Sequence, residues 1–364
     1  MSQPSYQYPH MEIDLGKLKE NLAALQERCQ ASSIEISGVV KGFHALPAAA
    51  KVYEEVGVSS IASSRMDQLR GLKEAGIQTP LMLIRIPMPS EVEDVVTWSD
   101  ISLNSECSVL RLLDEAARNK GRTHKVILMV DLGDLREGFW DWDELVAAAL
   151  EVEHDLPNLE LLGVGTNLGC YGSIQATPEK MHDLVAAAER VEKAIGRKLE
   201  VISGGASSSL YMVRDGTMPP RINHLRVGEG ILLGSIWGCN MDFMHKDIMV
   251  LRAQVIESKV KPSHPVGELS VDAFGQTRTY VDRGHRLRCL LAMGRVDYGE
   301  SDDLIPREPG IKVLGASSDH TILDVEGATR RLKTGDVLEF DLCYATMVYL
   351  TGSKSVHIYY KNET

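Results

Sequence analysis

The chain has 364 residues, 44% of them hydrophobic and 25% charged, with a formal net charge of −12. That length buries at least one large core and suggests two domains. The acidic balance argues against a nucleic-acid partner or an anionic membrane surface. No apolar run reaches spanning length and no leader-like segment is evident, so the expectation is a soluble, cytoplasmic protein with no membrane partner.

The elements are read in chain order. Asp14 is a candidate N-cap for an amphipathic helix in which Leu15, Leu18, Leu22 and Leu25 recur at helical spacing. An apolar strand, Ile34 to Val40, runs straight into Lys41. A helix from Pro47 to Val56 carries proline in its first turn. A short strand at Ser59–Ser63 precedes a helix over Met66–Ala75, stopped by Gly76. Pro80–Ile86 is a continuous apolar strand, and a short helix near Glu91 leads to the strand Ile101–Asn104. Ser105 is placed to cap the helix of Val109, Leu112, Leu113 and Ala116. Lys125–Gly133 is the strongest strand pattern; helix Glu144–Val152 and strand Leu159–Asn167 follow. Helix Pro178–Ile195, strand Leu199–Gly205, short helix Ser207–Val213 and strand His224–Val227 complete the series.

These strands are unbroken apolar runs, as expected when both faces are covered. Strand and helix alternate often enough for a (β/α)8 barrel, of the TIM type, over residues 10–236. In such a barrel the chemistry sits at the carboxyl ends of the strands, where Lys41, Asn104, Asp131, Asn167 and Ser203 fall. After Gly234 helical periodicity fades, and segments such as MVLRAQVIESKVKP and GDVLEFDL predict an all-β domain over 237–364, to which residues 1–9 can add.

Lys41 is an unusual residue for a buried strand end. Desolvation lowers a lysine pKa towards the nucleophilic amine a Schiff base requires; alone, the residue would as readily snorkel to solvent. SGGASSSL, Ser203 to Leu210, sets glycines and serines between a strand and a helix, as in an anion-binding loop; an ordinary capped turn is the competing reading. Arg226 ends the last barrel strand and faces either a surface carboxylate or a ring over the barrel mouth. Arg136 lies in the charged loop of VDLGDLREGF, which also reads as a solvated loop. GVGTNLG, Gly163 to Gly169, is not the dinucleotide fingerprint. The scattered cysteines are read as reduced and mostly buried, and neither they nor the histidines have metal-ligand spacing, so no metal is expected.

Together these motifs resemble the alanine racemase family, fold-type III enzymes that use pyridoxal 5′-phosphate (PLP). The ornithine racemase-like subgroup is the most similar, through VDLGDLREG, GVGTNLGCYG, ISGGASSSL, LRVGEGILLG, DAFGQ and GASSDHTILDV. The resemblance covers the chain from about Glu12 to Tyr360. It implies that Lys41 binds the cofactor covalently and moves a proton on one face of the substrate. It puts Arg136 beside the ring and the substrate carboxylate, and Asn167 in the place of a ring-stacking histidine. Ser207, the backbone of Gly228 and Glu229, and Tyr344 would hold the phosphate. Arg226 would meet the pyridine nitrogen, where a guanidinium cannot give up its proton and so favours racemisation. Ser318 and Asp319 would come from the second domain of a neighbouring subunit in a head-to-tail homodimer with shared active sites.

The sequence departs from the family in several places. Phe274 stands where alanine racemases carry the tyrosine that is the second acid/base. Asp272, Tyr280, His285 and Asp319 can carry a proton instead. Asp272 and Asp319 rank first because a carboxylate there also pairs with a distal amine. Ala206 and Ala45 replace an asparagine and a tyrosine near the phosphate. The activity implied is interconversion of L- and D-ornithine by α-proton abstraction and return. A racemase of alanine, lysine or serine, another fold-type III PLP lyase and a non-catalytic PLP-binding protein are the alternatives. The complete β domain speaks against the last.

Overall fold

The computed structural model describes residues 6–362 apart from 237, 238, 273, 276 and 278. These residues fall into two compact units, one spanning Lys17–Lys246 and one formed by the residues up to Gly16 with those from Asp247 onward. The first strand, β1 (His10–Asp14), belongs to the latter unit.

The larger unit is a closed parallel barrel. Its strands are β2 (Glu35–Val39), β3 (Ser60–Ser63), β4 (Leu81–Leu83), β5 (Ile101–Asn104), β6 (His124–Val130), β7 (Leu159–Thr166), β8 (Val201–Ser203) and β9 (His224–Val227), and β9 pairs back with β2. Helix α1 (Leu15–Ala31) precedes β2. The crossovers carry α2 (Pro47–Val56), α3 (Met66–Glu74), α4 (Val92–Trp98), α5 (Cys107–Asn119), α6 (Trp142–Asp155), α7 (Pro178–Ile195) and α8 (Leu210–Arg214). After β9 come α9 (Glu229–Leu233) and a two-strand pair, β10 (Ser235–Ile236) with β11 (Cys239–Asn240). The sequence states the local rules well. Pro178 opens α7 behind Thr177, whose hydroxyl accepts the Lys180 N–H, and Asp141 caps α6 through the Asp143 N–H at 2.7 Å. Ser105 does not cap α5: the helix starts at Cys107, Glu106 holds the cap position, and no side-chain cap bond forms.

Every residue of β3, β4 and β5 is buried, which explains why these strands read as unbroken apolar runs. Val39, Ala62, Met82, Ile101, Leu103, Ile127, Met129 and Leu162 pack into one cluster drawn from neighbouring strands. Each such side chain contributes about 1.5–3 kcal/mol when fully buried.

The smaller unit is mainly antiparallel. Its strands are β12 (Met249–Pro262), β13 (His285–Leu291), β14 (Ile305–Pro306), β15 (Lys312–Ala316), β16 (Thr321–Asp324), β17 (Val337–Asp341) and β18 (His357–Lys361), with short helix α10 (Arg295–Tyr298). They run in the order β14-β17-β12-β13-β16-β15, and β1 pairs antiparallel with β12 and parallel with β18. The (β/α)8 barrel followed by a C-terminal β domain is therefore the fold of this chain. Two details differ from the sequence reading. Helix α11 (Tyr344–Gly352) interrupts the expected all-β pattern, and it is apolar enough to read as a strand. The units meet at Lys246/Asp247 instead of 236/237, because β1 joins the β sheet while its residues, nearly all buried, show no alternation.

One glycine reports how tightly the barrel closes. A β carbon on Gly163 of β7 would stand 1.8 Å from the Val201 carbonyl oxygen of β8. Backbone cannot yield there as a side chain would. Gly163→Ala is expected to cost about 1–3 kcal/mol, the usual range for overpacking. Urea unfolding midpoints check this; an unchanged midpoint would mean that β7 and β8 do not approach this closely.

Candidate functional site

Lys41 begins a 3-10 turn, Lys41–Phe43, directly after β2. His44 and Ala45 follow with φ of 50° and 51°, two consecutive non-glycine residues in the left-handed region. Such backbone is held only when its surroundings over-determine it, and the buried Phe43 and Ala45 supply that anchoring. The Lys41 ammonium has no hydrogen-bond or ion-pair partner among the described residues. Burial lowers its pKa from the ordinary lysine value; the charges of Arg136 and Arg226 add to this, while Cys170 and Glu137 oppose it. These side chains therefore share the barrel mouth with Lys41.

The loops after β6 and β7 build that mouth. Asp131 accepts the N–H of Gly133 at 2.8 Å and of Leu135 at 3.2 Å, which curls the loop before Arg136. Asp134 is 1% exposed, and its carboxylate accepts the N–H of Gly169 (3.1 Å), Tyr171 (3.0 Å) and Ile174 (3.4 Å) in the loop after β7. The two aspartates of VDLGDLREGF thus brace the loops, and Asp131, at a strand end where chemistry was expected, is a structural group. Arg136 is half-buried, and Glu137 holds it in an ion pair.

Arg226 is the most unusual group. Its side chain is buried among β7, β8 and β9, with no ion-pair partner among the described residues. Nη1 donates to Ser203 Oγ at 2.5 Å and Nη2 to the Thr166 carbonyl at 2.7 Å. Burial pushes its pKa down to about 10, which leaves the guanidinium charged at neutral pH. Beside it Asn167 is 9% exposed, and its buried Nδ2 has no hydrogen-bond partner. A buried unpaired amide costs about 1–3 kcal/mol, so it points to a group the protein is built to receive.

The serine loop divides its work. Ser209 Oγ donates to the Gly204 carbonyl at 2.7 Å, and Ser208 Oγ donates to the Leu168 carbonyl at 3.2 Å. Ser207 Oγ is buried and accepts the N–H of Gly228 at 3.3 Å and of Gly230 at 3.1 Å. Glu229 lies between those two glycines, and burial raises its pKa. A hydroxyl and two backbone donors meeting in one place can hold an anionic oxygen. An amine without a partner, an uncompensated guanidinium, an unpaired amide and an anion-ready loop fit a phosphorylated, carbonyl-bearing aromatic cofactor such as PLP.

The remaining sequence candidates lie elsewhere. Asn104 donates to the Ser102 carbonyl and hydroxyl at 2.9 Å inside the barrel wall. Asp272, Asp319 and Tyr344 belong to the smaller unit. Asp272 accepts the Phe274 N–H at 2.9 Å, and the Phe274 ring lies under the Arg295 guanidinium at 3.9 Å. Asp319 is exposed, and His320, Ser318 and Ser317 hold its carboxyl below the usual range. Tyr344 opens α11. Tyr280, Ser318 and His285 are exposed. Glu137 and Cys170 escaped the sequence reading; each follows a motif residue but matches no motif itself. The cysteines are free but not mostly buried: among those described, Cys29 and Cys289 are buried, Cys107 and Cys343 intermediate and Cys170 exposed.

Two outcomes follow from this geometry. Asn167→Leu removes an unpaired amide, so the cofactor-free protein is expected to melt at or above the wild-type temperature while holding PLP more weakly. Calorimetry and equilibrium dialysis read the two effects separately. A neutral amine dominates above its pKa, so a lowered Lys41 pKa moves its reactivity to lower pH. Borohydride trapping of PLP on Lys41 is expected to rise with a midpoint below the ordinary lysine value of about 10.4, read by peptide mass spectrometry against the remaining lysines.

Comparison with known proteins agrees with this fit. The family model described as alanine racemase, N-terminal domain, matches residues 13–235. An ornithine racemase of Acetoanaerobium sticklandii is 39% identical over 353 residues, 96% of this chain and 98% of that protein. A lysine racemase of Thermotoga maritima is 37% identical over 356 residues, 97% and 99% of the two chains. Among solved structures, alanine racemase from D-cycloserine producing Streptomyces lavendulae superposes with a TM-score of 0.74 at 20% identity, covering 98% of each chain. D-threonine aldolase from Filomicrobium marinum gives 0.72 at 17% identity, covering 95% of this chain and 89% of that one. The chain belongs to the alanine racemase family, whose enzymes are PLP-dependent amino-acid racemases.

Proposed function

We propose that this protein is a PLP-dependent racemase that interconverts L- and D-ornithine. The observation that carries the reaction type is Arg226, a buried guanidinium with no carboxylate partner among the described residues. When bound, PLP links the substrate α-carbon to an electron-accepting ring and so makes the α-proton acidic. Lys41 holds the cofactor covalently and, as a desolvated amine, takes and returns the α-proton on one face. Arg226 faces the ring nitrogen and keeps its own proton, which limits charge delocalisation and favours simple return of the proton. Arg136 orients the substrate carboxylate, Asn167 lies against the ring, and Ser207 with the backbone of Gly228 and Glu229 holds the phosphate. Tyr344 adds a hydroxyl to that grip.

Asp272 and Asp319 are the carboxylates we assign to the second proton transfer and to the distal substrate ammonium. Both sit in the smaller unit, and we infer a head-to-tail homodimer that completes each site with them. The exposed apolar side chains at Val266, Val271, Phe274 and Val281 support burial against a second copy. A location in the cytoplasm fits the free cysteines. The ornithine reading rests on the full-length likeness to an ornithine racemase, and the nearly equal likeness to a lysine racemase makes lysine the second reading.

Incubation with PLP and single L-amino acids in deuterated water decides among these. Ornithine is expected to exchange its α-proton and lose optical activity fastest, and Lys41→Ala to abolish both. Faster turnover of lysine, alanine or serine reassigns the substrate; exchange retained in Lys41→Ala ends the mechanism. Sedimentation equilibrium of the loaded protein is expected to give twice the chain mass, and a monomer that turns over would remove the shared site.

A further inference from the structure

A line of buried polar groups runs away from Arg226 through four consecutive strands of the barrel. Ser203 of β8 stands opposite His224 of β9, and Ser37 of β2 stands opposite Ser60 of β3. Ser203 Oγ lies 2.8 Å from His224 Nδ1, His224 Nε2 lies 2.7 Å from Ser37 Oγ, and Ser37 Oγ lies 2.5 Å from Ser60 Oγ. None of the five residues, Arg226 included, is more than 4% exposed. Barrel interiors are normally filled by branched apolar side chains, and on the same face of β2, two residues on, Val39 belongs to the apolar cluster.

The direction of every proton in this line follows from its first member. A guanidinium only donates, so Ser203 Oγ accepts from Arg226. The single Ser203 proton then has His224 Nδ1 as its acceptor, which leaves the histidine proton on Nε2 and sends it to Ser37. Ser37 in turn donates to Ser60. A proton on Nδ1 would leave Ser203 accepting twice, with no acceptor for its own proton among the bonds it makes.

We propose that Ser203 and His224 are positioning residues that hold the Arg226 guanidinium in one plane, with His224 locked as the neutral Nε2–H tautomer. Thr166 fixes the second nitrogen of Arg226, so the two contacts define the orientation of the fork. The arrangement also keeps a second charge out. Burial and then the Arg226 charge lower the His224 pKa to about 3, so the imidazole stays neutral through the range where histidine normally titrates. Arg226 is the charged group that acts on it. The effect on turnover rests on the racemase reading; the tautomer does not.

The test has two arms. Long-range proton–nitrogen spectra of histidine-labelled wild-type protein, without and with PLP, report the tautomer directly, with the signal assigned by its loss in His224→Gln. A bare Nδ1 and a protonated Nε2, unchanged from about pH 5 to about pH 8, are expected. A protonated Nδ1, or titration near the ordinary value of about 6.5, overturns the proposal. In the second arm, loaded Ser203→Ala is expected to shift the absorbance band of the bound cofactor. Its kcat should fall roughly tenfold or more, the scale seen when an orienting partner is lost, with KM nearly unchanged and Ser203→Thr restoring most of the loss. An unchanged band and kcat in folded Ser203→Ala refute positioning. If Ser203→Ala does not fold, the wild-type spectra decide. If the wild type shows no turnover, the racemase reading fails while the tautomer result stands.

Discussion

A guanidinium buried without a carboxylate is the constraint on which this site depends. Removing a cation from water costs several kcal/mol even after relaxation, and the usual remedy is an ion pair. Here the carboxylate whose charge acts on Arg226, that of Glu137, is engaged by Arg136. Arg226 is solvated by a hydroxyl and a carbonyl instead. It therefore remains a cation in search of an anionic or electron-rich partner, and it lowers the pKa of its neighbours Lys41 and His224. An ion pair at the same place would relieve the cost and remove the function.

The second requirement is that loops stay still. The mouth is made by the segments after β6 and β7, and loops of this kind normally carry the mobility of a fold. Asp134 ties one to the other by accepting three backbone N–H groups while almost fully buried. Asp131 curls the first loop so that Arg136 follows. Charged loops are commonly taken as solvated, but here two of the charges are internal acceptors that convert flexible backbone into a fixed frame. Gly138 serves the same frame: its φ of 132° and the approach of a β carbon to within 2.4 Å of the Asp131 nitrogen leave no room for another residue.

The smaller unit presents a different economy of charge. Phe274 lies under Arg295, whose side chain is largely buried, so the aromatic at this position is held by a cation–π contact. A phenol there would gain a hydroxyl, but the ring is already engaged. The acidic candidates, Asp272 and Asp319, are part of local turns and hydroxyl clusters that stabilise their charged forms. Carboxylates held charged are suited to receiving an ammonium and to accepting a proton.

The sequence alone determined the alternation of strand and helix and the placement of Lys41, Ser207 and Arg226 at strand ends. Local patterns state these: apolar runs, caps, and glycine-serine loops depend on neighbours a few residues away. It also carried the change of pattern that marks the second unit. It could not carry the pairing of β1 with the C-terminal sheet, because a strand of buried residues shows no alternation and its partners are more than 200 residues distant. Nor could it show the bracing role of Asp134, the closeness of Glu137 and Cys170 to Lys41, or the line from Arg226 through Ser203 and His224 to Ser37 and Ser60. Those groups are separated along the chain and meet only because the barrel closes β9 onto β2. Closure is a property of all eight strands together, and the electrostatics of a buried cation is set by what surrounds it, so both were decided by the tertiary structure.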